Sequence, residues 1–149
     1  MELIAAIGAG PVAIDTPIFI YWIEQHPRYL PLLRPLFQLV DSGEIPAVTS
    51  ALTLLETLVI PYRAGERELA EKYEAILTNG RGLTLIPIHL PVIRLAARIR
   101  ATTSLRTPDA LQLATAALTN CTTFLTNDAR LRGIGGIEVL HLDAFVPSA

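Results

Sequence analysis

The sequence predicts an α/β fold, with about five strands in a mainly parallel sheet covered by helices on both faces. Two observations predict this. Short runs rich in β-branched residues, bounded by turn formers, recur along the chain, and longer stretches with helical spacing of apolar residues separate them. Such alternation favours parallel pairing, because each crossover needs a helix to cover the sheet. The 149 residues carry no repeat, no low-complexity block and no long linker, so one domain spanning 1–149 is expected.

Residues 1–10 read as a short N-terminal extension. The run LIAAIGAGPVAI contains Gly and Pro, lacks a basic leader and meets Asp15, so neither a signal peptide nor a membrane span is expected. PVAID at 11–15 is the first strand. Helical spacing follows over 17–25 and 29–41, then a second strand, IPAVTS, at 45–50. Two further helices are expected over 51–63 and 66–78, the latter with mixed charge, and GRG at 80–82 ends that pair. LTLIPI at 83–88 is the third strand. Helices over 90–101 and 107–120 come next, the second opened by Thr107 as N-cap with Pro108 at the first helical position. TTFLTN at 122–127 is the fourth strand and leads to a brief turn of helix after Asp128. GIGG at 133–136 then breaks the chain before the fifth, IEVLHL at 137–142.

Composition narrows the function classes. Hydrophobic residues make up 51% and charged residues 17% of the chain, which is enough apolar mass for a large core and excludes disorder. A mean hydropathy of +0.43 is high for a monomer, so some apolar surface is expected to meet another chain. The single cysteine, Cys121, has no internal disulfide partner and lies among apolar residues, which fits a core position in a reducing cytoplasm. A net charge of −2 offers no global attraction to nucleic acid. The bases are nonetheless clustered: Arg94, Arg98, Arg100 and Arg106 occur without an intervening acid.

Four of the fourteen carboxylates stand in apolar surroundings. Asp15 ends an oily strand, Glu56 interrupts LTLLETLVI, Asp109 opens the apolar helix TPDALQLATAAL, and Asp128 follows TTFLT. Asp15, Asp109 and Asp128 belong to strand ends and neighbouring helix starts, where open α/β sheets place their ligands. Glu56 shares a helical stripe with Leu52 and Val59 and is expected to point inward. Each acid also has a plain structural reading. Asp109 suits the positive end of its helix, Asp128 an N-cap for a short helix through Leu131, Asp15 a cap for the helix beginning at Pro17, and Glu56 an arginine pair. Together they argue differently. Unpaired carboxylates converging at one sheet edge repel each other, and a hard cation compensates them. An all-oxygen set without His or Cys favours Mg²⁺ or Mn²⁺ over Zn²⁺.

VAIDTPIFIYWIE, TSALTLLETLV, LRTPDALQLATAAL and TTFLTNDARL, in this order and at these separations, resemble the motifs of PIN-domain ribonucleases, most closely the VapC-type toxins of toxin–antitoxin pairs. The resemblance spans residues 12–142 and implies a PIN-like three-layer sandwich. It also implies Mg²⁺-dependent endonucleolytic cleavage of RNA by metal-activated water, leaving a 5′-phosphate and a 3′-hydroxyl. Carried over by motif, Asp15, Glu56, Asp109 and Asp128 are the catalytic and metal-binding acids, with Glu56 a further ligand or the base that positions water. Thr126 and Asn127 are polar accessories, and Thr126 is expected to orient a ligand or touch the phosphate. The family's first motif often reads Asp-Thr-Asn, whereas Pro17 stands at the third position here.

RNA approaching an acidic pit needs basic flanks, and the candidates are Arg94, Arg98, Arg106, Arg130 and Arg132. For Arg94 and Arg98 the competing reading is a solvated helix face. The resemblance further implies a cognate antitoxin seated in a groove formed by the early, aromatic-rich helices, together with a homodimer, cytoplasmic and without membrane attachment. Three other readings remain. A non-toxin RNA-processing or RNA-binding module is the main alternative. A haloacid-dehalogenase-type phosphatase would want an acid where Pro17 stands, and a receiver domain would want a lysine at the end of the last strand, whereas the only lysine is Lys72. His26, His89 and His141 share no metal-ligand spacing and suit surface or capping roles.

Overall fold

The computed structural model describes residues 2–148. The predicted α/β architecture is present: strands β1 (Val12–Ile14), β2 (Ala47–Ser50), β3 (Leu83–Ile86), β4 (Thr123–Thr126) and β5 (Glu138–His141) form one sheet in the order β3-β2-β1-β4-β5. Every neighbouring pair is parallel. Helices α1 (Glu2–Ile7), α2 (Thr16–Ile23), α3 (Leu30–Asp41), α4 (Ala51–Ala64), α5 (Arg67–Asn79), α6 (Leu90–Thr102) and α7 (Thr107–Leu118) complete it.

The central strands β1, β2 and β4 are buried throughout, as expected of strands covered on both faces, while the edge strands β3 and β5 are partly open. Side-chain alternation divides the core between the faces. Val12 and Ile14 join Phe19, Leu33, Phe37, Tyr73 and Leu77 on the side of α2, α3 and α5. Ala13, Val48 and Phe124 join Val92, Ile99, Leu113 and Leu131 on the side of α6 and α7. Cys121 is buried in the second cluster. The turn into β3 requires glycine: Gly82 has φ +72°, and a Cβ there would stand 1.9 Å from the Val40 carbonyl oxygen.

Four local expectations are corrected. Residues 2–7, read as extension, form α1, whose Leu3 and Ile7 are buried in the core. No helix follows Asp128; the segment is a turn closed by the Leu131 N–H on the Asp128 carbonyl at 3.1 Å. The start of α7 shifts one residue, so Arg106 rather than Thr107 is its N-cap, with no side-chain cap bond. On α4 the buried stripe is Thr53, Thr57 and Pro61, and Leu52 and Val59 are only half-buried. A 3-10 turn over Leu142–Phe145, not anticipated, closes the chain beside α1.

Leu55, Ile60, Tyr62, Leu90 and Ile93 are exposed, in keeping with the high hydropathy. No helix of the described residues is long and apolar enough to cross a membrane.

Candidate active site

The sheet order reverses at β1: the chain adds β2 and β3 on one side of it and then crosses back to add β4 and β5 on the other. Beyond the carboxyl ends of strands at such a switch point the following segments diverge and leave a crevice. Asp15 is the first residue past β1, and its N–H donates to the Leu125 carbonyl of β4 at 2.9 Å. A cavity of about 340 Å³ opens there, lined by Asp15, Glu56, Asp109 and Asp128 together with Thr16, Pro17, Ile20, Pro108 and Gln112. The chain thus brings all four acids singled out in the sequence to one cavity. A larger one, about 590 Å³, opens between α4 and α5, and none of the four lines it.

Asp15 is 8% exposed. One carboxylate oxygen accepts the Thr16 N–H at 2.9 Å, which caps α2, and the other accepts the Thr126 hydroxyl at 2.7 Å. Burial pushes its pKa up to about 6, the Thr126 and Thr16 hydrogen bonds pull against this, and the charges of Asp109 and Glu56 push further up. Asp109, in the first turn of α7, is also raised, by burial and then by Asp128, with Arg130 and Arg106 opposing. Asp128 goes the other way. Arg130 donates through its backbone N–H and Nε to Oδ1, both at 3.0 Å, and through Nη2 to Oδ2 at 2.6 Å. The guanidinium holds the Asp128 carboxyl down at about 2. The same Nη2 lies 4.0 Å from Asp109 Oδ2, so one arginine pairs with Asp128 and also faces Asp109.

Thr126 is fully buried, accepts the Asp128 N–H at 3.0 Å and donates to Asp15. It orients the first acid and is covered from solvent, so it has no direct reach to a bound phosphate. Asn127 turns away from the cavity: its Nδ2 donates to Tyr29 at 3.0 Å and its Oδ1 accepts the Asp143 N–H at 3.0 Å, fastening β4 to the C-terminal turn. Arg106 stands close enough to lower the pKa of both Asp109 and Asp128. Arg132 braces the turn through the Ala129 carbonyl at 2.6 Å. Arg94 and Arg98 are exposed on α6 and make no ion pair among the described residues. Arg100 bonds the Leu105 carbonyl at 3.2 Å and Thr107 at 3.0 Å, tying α6 to α7. His89 occupies the N-cap position of α6, and His141 contacts the Leu131 carbonyl at 3.1 Å.

Sequence reasoning missed Thr16, Thr53 and Gln112. Gln112 is 3% exposed and lines the cavity, and its Nε2 donates to Thr53 at 2.9 Å. Thr16 donates to Glu56 Oε1 at 2.7 Å. The available signal was spacing, since Gln112 is three residues after Asp109 on an otherwise apolar helix and so shares its face.

The donor set suits a hard cation: it is all oxygen, and the raised Asp15 and Asp109 are groups that added positive charge would relieve. Among the described residues, no three of Asp, Glu, His and Cys stand close enough together to form a ready ligand cluster. Positive charge between Asp109 and Asp128 comes instead from Arg130.

With this geometry in view, the likenesses to known proteins acquire meaning. The PIN domain family matches residues 12–137. Among solved structures, the fold is similar to VapBC2 from Rickettsia felis bound to a promoter DNA fragment, with TM-score 0.68 and 18% identity over 87% of this chain and 97% of that one. It is similar to VapBC from Salmonella typhimurium bound to DNA, with TM-score 0.63 and 21% identity over 88% and 97%. It is also similar to VapC20 from Mycobacterium tuberculosis, a toxin that cleaves the sarcin-ricin loop, with TM-score 0.65 and 14% identity over 85% and 98%. No curated protein matches the sequence. With a family match across most of its length and four acids at the switch point of its sheet, the chain belongs to the PIN-domain family.

Proposed function

We propose that this protein is a Mg²⁺-dependent endoribonuclease and the toxin of a toxin–antitoxin pair. The observation that carries the reading is the convergence of Asp15, Glu56, Asp109 and Asp128, from four separate segments, on one cavity. The similarity to the Salmonella and Rickettsia complexes and to the sarcin-ricin-loop-cleaving toxin supports the toxin role.

Asp15, Asp109 and Asp128, with Glu56 beside them, would hold a divalent cation, Mg²⁺ or Mn²⁺. When bound, such an ion lowers the pKa of water and neutralises the scissile phosphate. The chain's own residues supply the rest. Thr126 fixes Asp15, and Glu56, held by Thr16, faces the cavity as a ligand or as the base that positions the attacking water. Arg106 and Arg130 border the acids, Arg132 lies in the turn that follows the fourth, and Arg94 and Arg98 extend the basic surface along α6, offering backbone contacts to RNA. A cognate antitoxin and a second copy of the chain are the partners that the exposed apolar side chains would meet, in the cytoplasm.

The test is brief induction in bacteria followed by mapping of new RNA 5′ ends, beside cleavage by purified protein with and without Mg²⁺. Asp15→Ala and Asp109→Ala are expected to lose cleavage by at least about 100-fold while remaining folded. Cleavage by either variant at the wild-type rate, or cleavage indifferent to chelation, would refute the assignment.

A further inference from the structure

Beneath the acids lies a buried chain of polar side chains that joins three of the segments carrying them. Thr16, Thr49, Thr53 and Gln112 are 7%, 1%, 0% and 3% exposed. Thr49 Oγ1 donates to the Ile14 carbonyl at 2.7 Å. Its one proton is thereby committed, so in the 2.7 Å contact between Thr49 and Thr53 the donor is Thr53. The Thr53 proton is then committed as well. Thr16 has one proton, its closest acceptor is Glu56 Oε1 at 2.7 Å, and its 3.2 Å contact with Thr53 is longer.

Every hydroxyl proton in the chain is accounted for, and the group facing Thr53 and Thr16 must therefore bring protons of its own. Gln112 does so: its Nε2 lies 2.9 Å from Thr53 Oγ1 and 3.5 Å from Thr16 Oγ1. A carbonyl oxygen in that place would oppose two lone pairs, so the amide has one permitted orientation. Donation then runs outward from Gln112 to Thr16 and from Thr16 to Glu56.

We propose that Gln112 and Thr16 are positioning residues for Glu56: the directed chain holds Glu56 Oε1 by a bond from Thr16 and so aims the carboxylate into the cavity, while Oε2 accepts no bond from the described residues. The bond from Thr16 takes one lone pair of Oε1 and sets the direction in which the carboxylate's remaining lone pairs meet the cavity. The inference rests on the nuclease reading of the site and adds to it a role for two residues outside the acid set.

Steady-state cleavage of a defined RNA by Thr16→Val, Thr16→Ser and Gln112→Leu tests it, with wild type and Asp15→Ala alongside and 15N NMR of the Gln112 side-chain amide. Expected are a drop in kcat of about 10-fold or more for Thr16→Val and Gln112→Leu with KM within twofold, recovery to near wild type in Thr16→Ser, and a displaced Gln112 amide resonance in Thr16→Val alone. Equal kcat in Thr16→Val and wild type overturns the proposal, as does failure of Thr16→Ser to recover activity in a folded protein. If Gln112→Leu does not fold, the valine and serine pair decides. Cleavage lost in Asp15→Ala but unchanged in Thr16→Val condemns this inference alone, whereas an inactive wild type condemns the nuclease reading itself.

Discussion

Among single residues, Asp15 combines a structural and a chemical burden. It caps α2, so its carboxylate must stay where it is, yet burial and two neighbouring acids raise its pKa to about 6. The folded chain therefore binds this proton more tightly than the unfolded one, in which the carboxyl titrates near 3.8. The resulting contribution to stability is complete below about pH 4 and is lost as pH rises through about 6. Asp128, held at about 2 by Arg130, has the opposite sign: its contribution is present above about 4 and falls away toward pH 2. Replacing Asp15 by Asn removes the first effect while keeping an acceptor for the Thr16 N–H. Asp15→Asn is expected to stabilise the metal-free protein at pH 7.5 by about 2 kcal/mol and to change it little at pH 4, as read by urea denaturation at the two values. A variant destabilised equally at both would show that the cap, not the charge, dominates.

Residue identity was also where the sequence spoke most clearly about the site. An acid within an apolar run carries a desolvation cost that an exposed acid does not, and that contrast alone picks out Asp15, Glu56, Asp109 and Asp128. Hydroxyls and amides give no such contrast. Thr53 and Gln112 look ordinary on a helix, and their roles depend on contacts between residues 59 positions apart. Asn127 was misjudged for a related reason, since its neighbours Thr126 and Asp128 face the acids while its own side chain meets Tyr29 and the turn at Asp143.

At the scale of elements, periodicity located all five strands and the six longer helices, because buried strands and amphipathic helices leave the strongest patterns. The short elements escaped. α1 is six residues long, followed by Gly8 and Gly10, and draws its stability from tertiary burial of Leu3 and Ile7 rather than from helical propensity. A mere extension would tolerate truncation of these side chains. Leu3→Ala is instead expected to cost about 2 to 4 kcal/mol, measured by chemical denaturation, and a change near zero would mean that α1 does not dock. The β3 turn makes a second test of packing against backbone: Gly82→Ala drives a methyl into the Val40 carbonyl and strains a positive φ, so a loss of at least about 2 kcal/mol is expected.

For the molecule as a whole, the decisive feature is sheet order. Placing β1 between β2 and β4 puts Asp15 at the switch point, and the same order delivers the end of β4 to its side and the first turn of α7 above it. That juxtaposition could be argued from the alternation of strands and helices, but the strand order itself is set by non-local pairing and leaves no local mark. In the sequence Arg130 stood out as a candidate for RNA backbone contact, and nothing local marked its pairing with two acids. In the fold it binds Asp128 closely and stands 4.0 Å from Asp109. An ion entering the cavity would meet the arginine as a competitor, and charge-neutral substitution of Arg130 is expected to favour the ion.

The central claim is that these four carboxylates act as one cation site, and calorimetric titration of Mn²⁺ into the purified protein measures it directly. The account predicts saturable binding by the wild type, loss of that binding in Asp15→Asn and Asp109→Asn, and tighter binding in Arg130→Gln. No heat in folded wild type, or the same isotherm in Asp109→Asn, would contradict it.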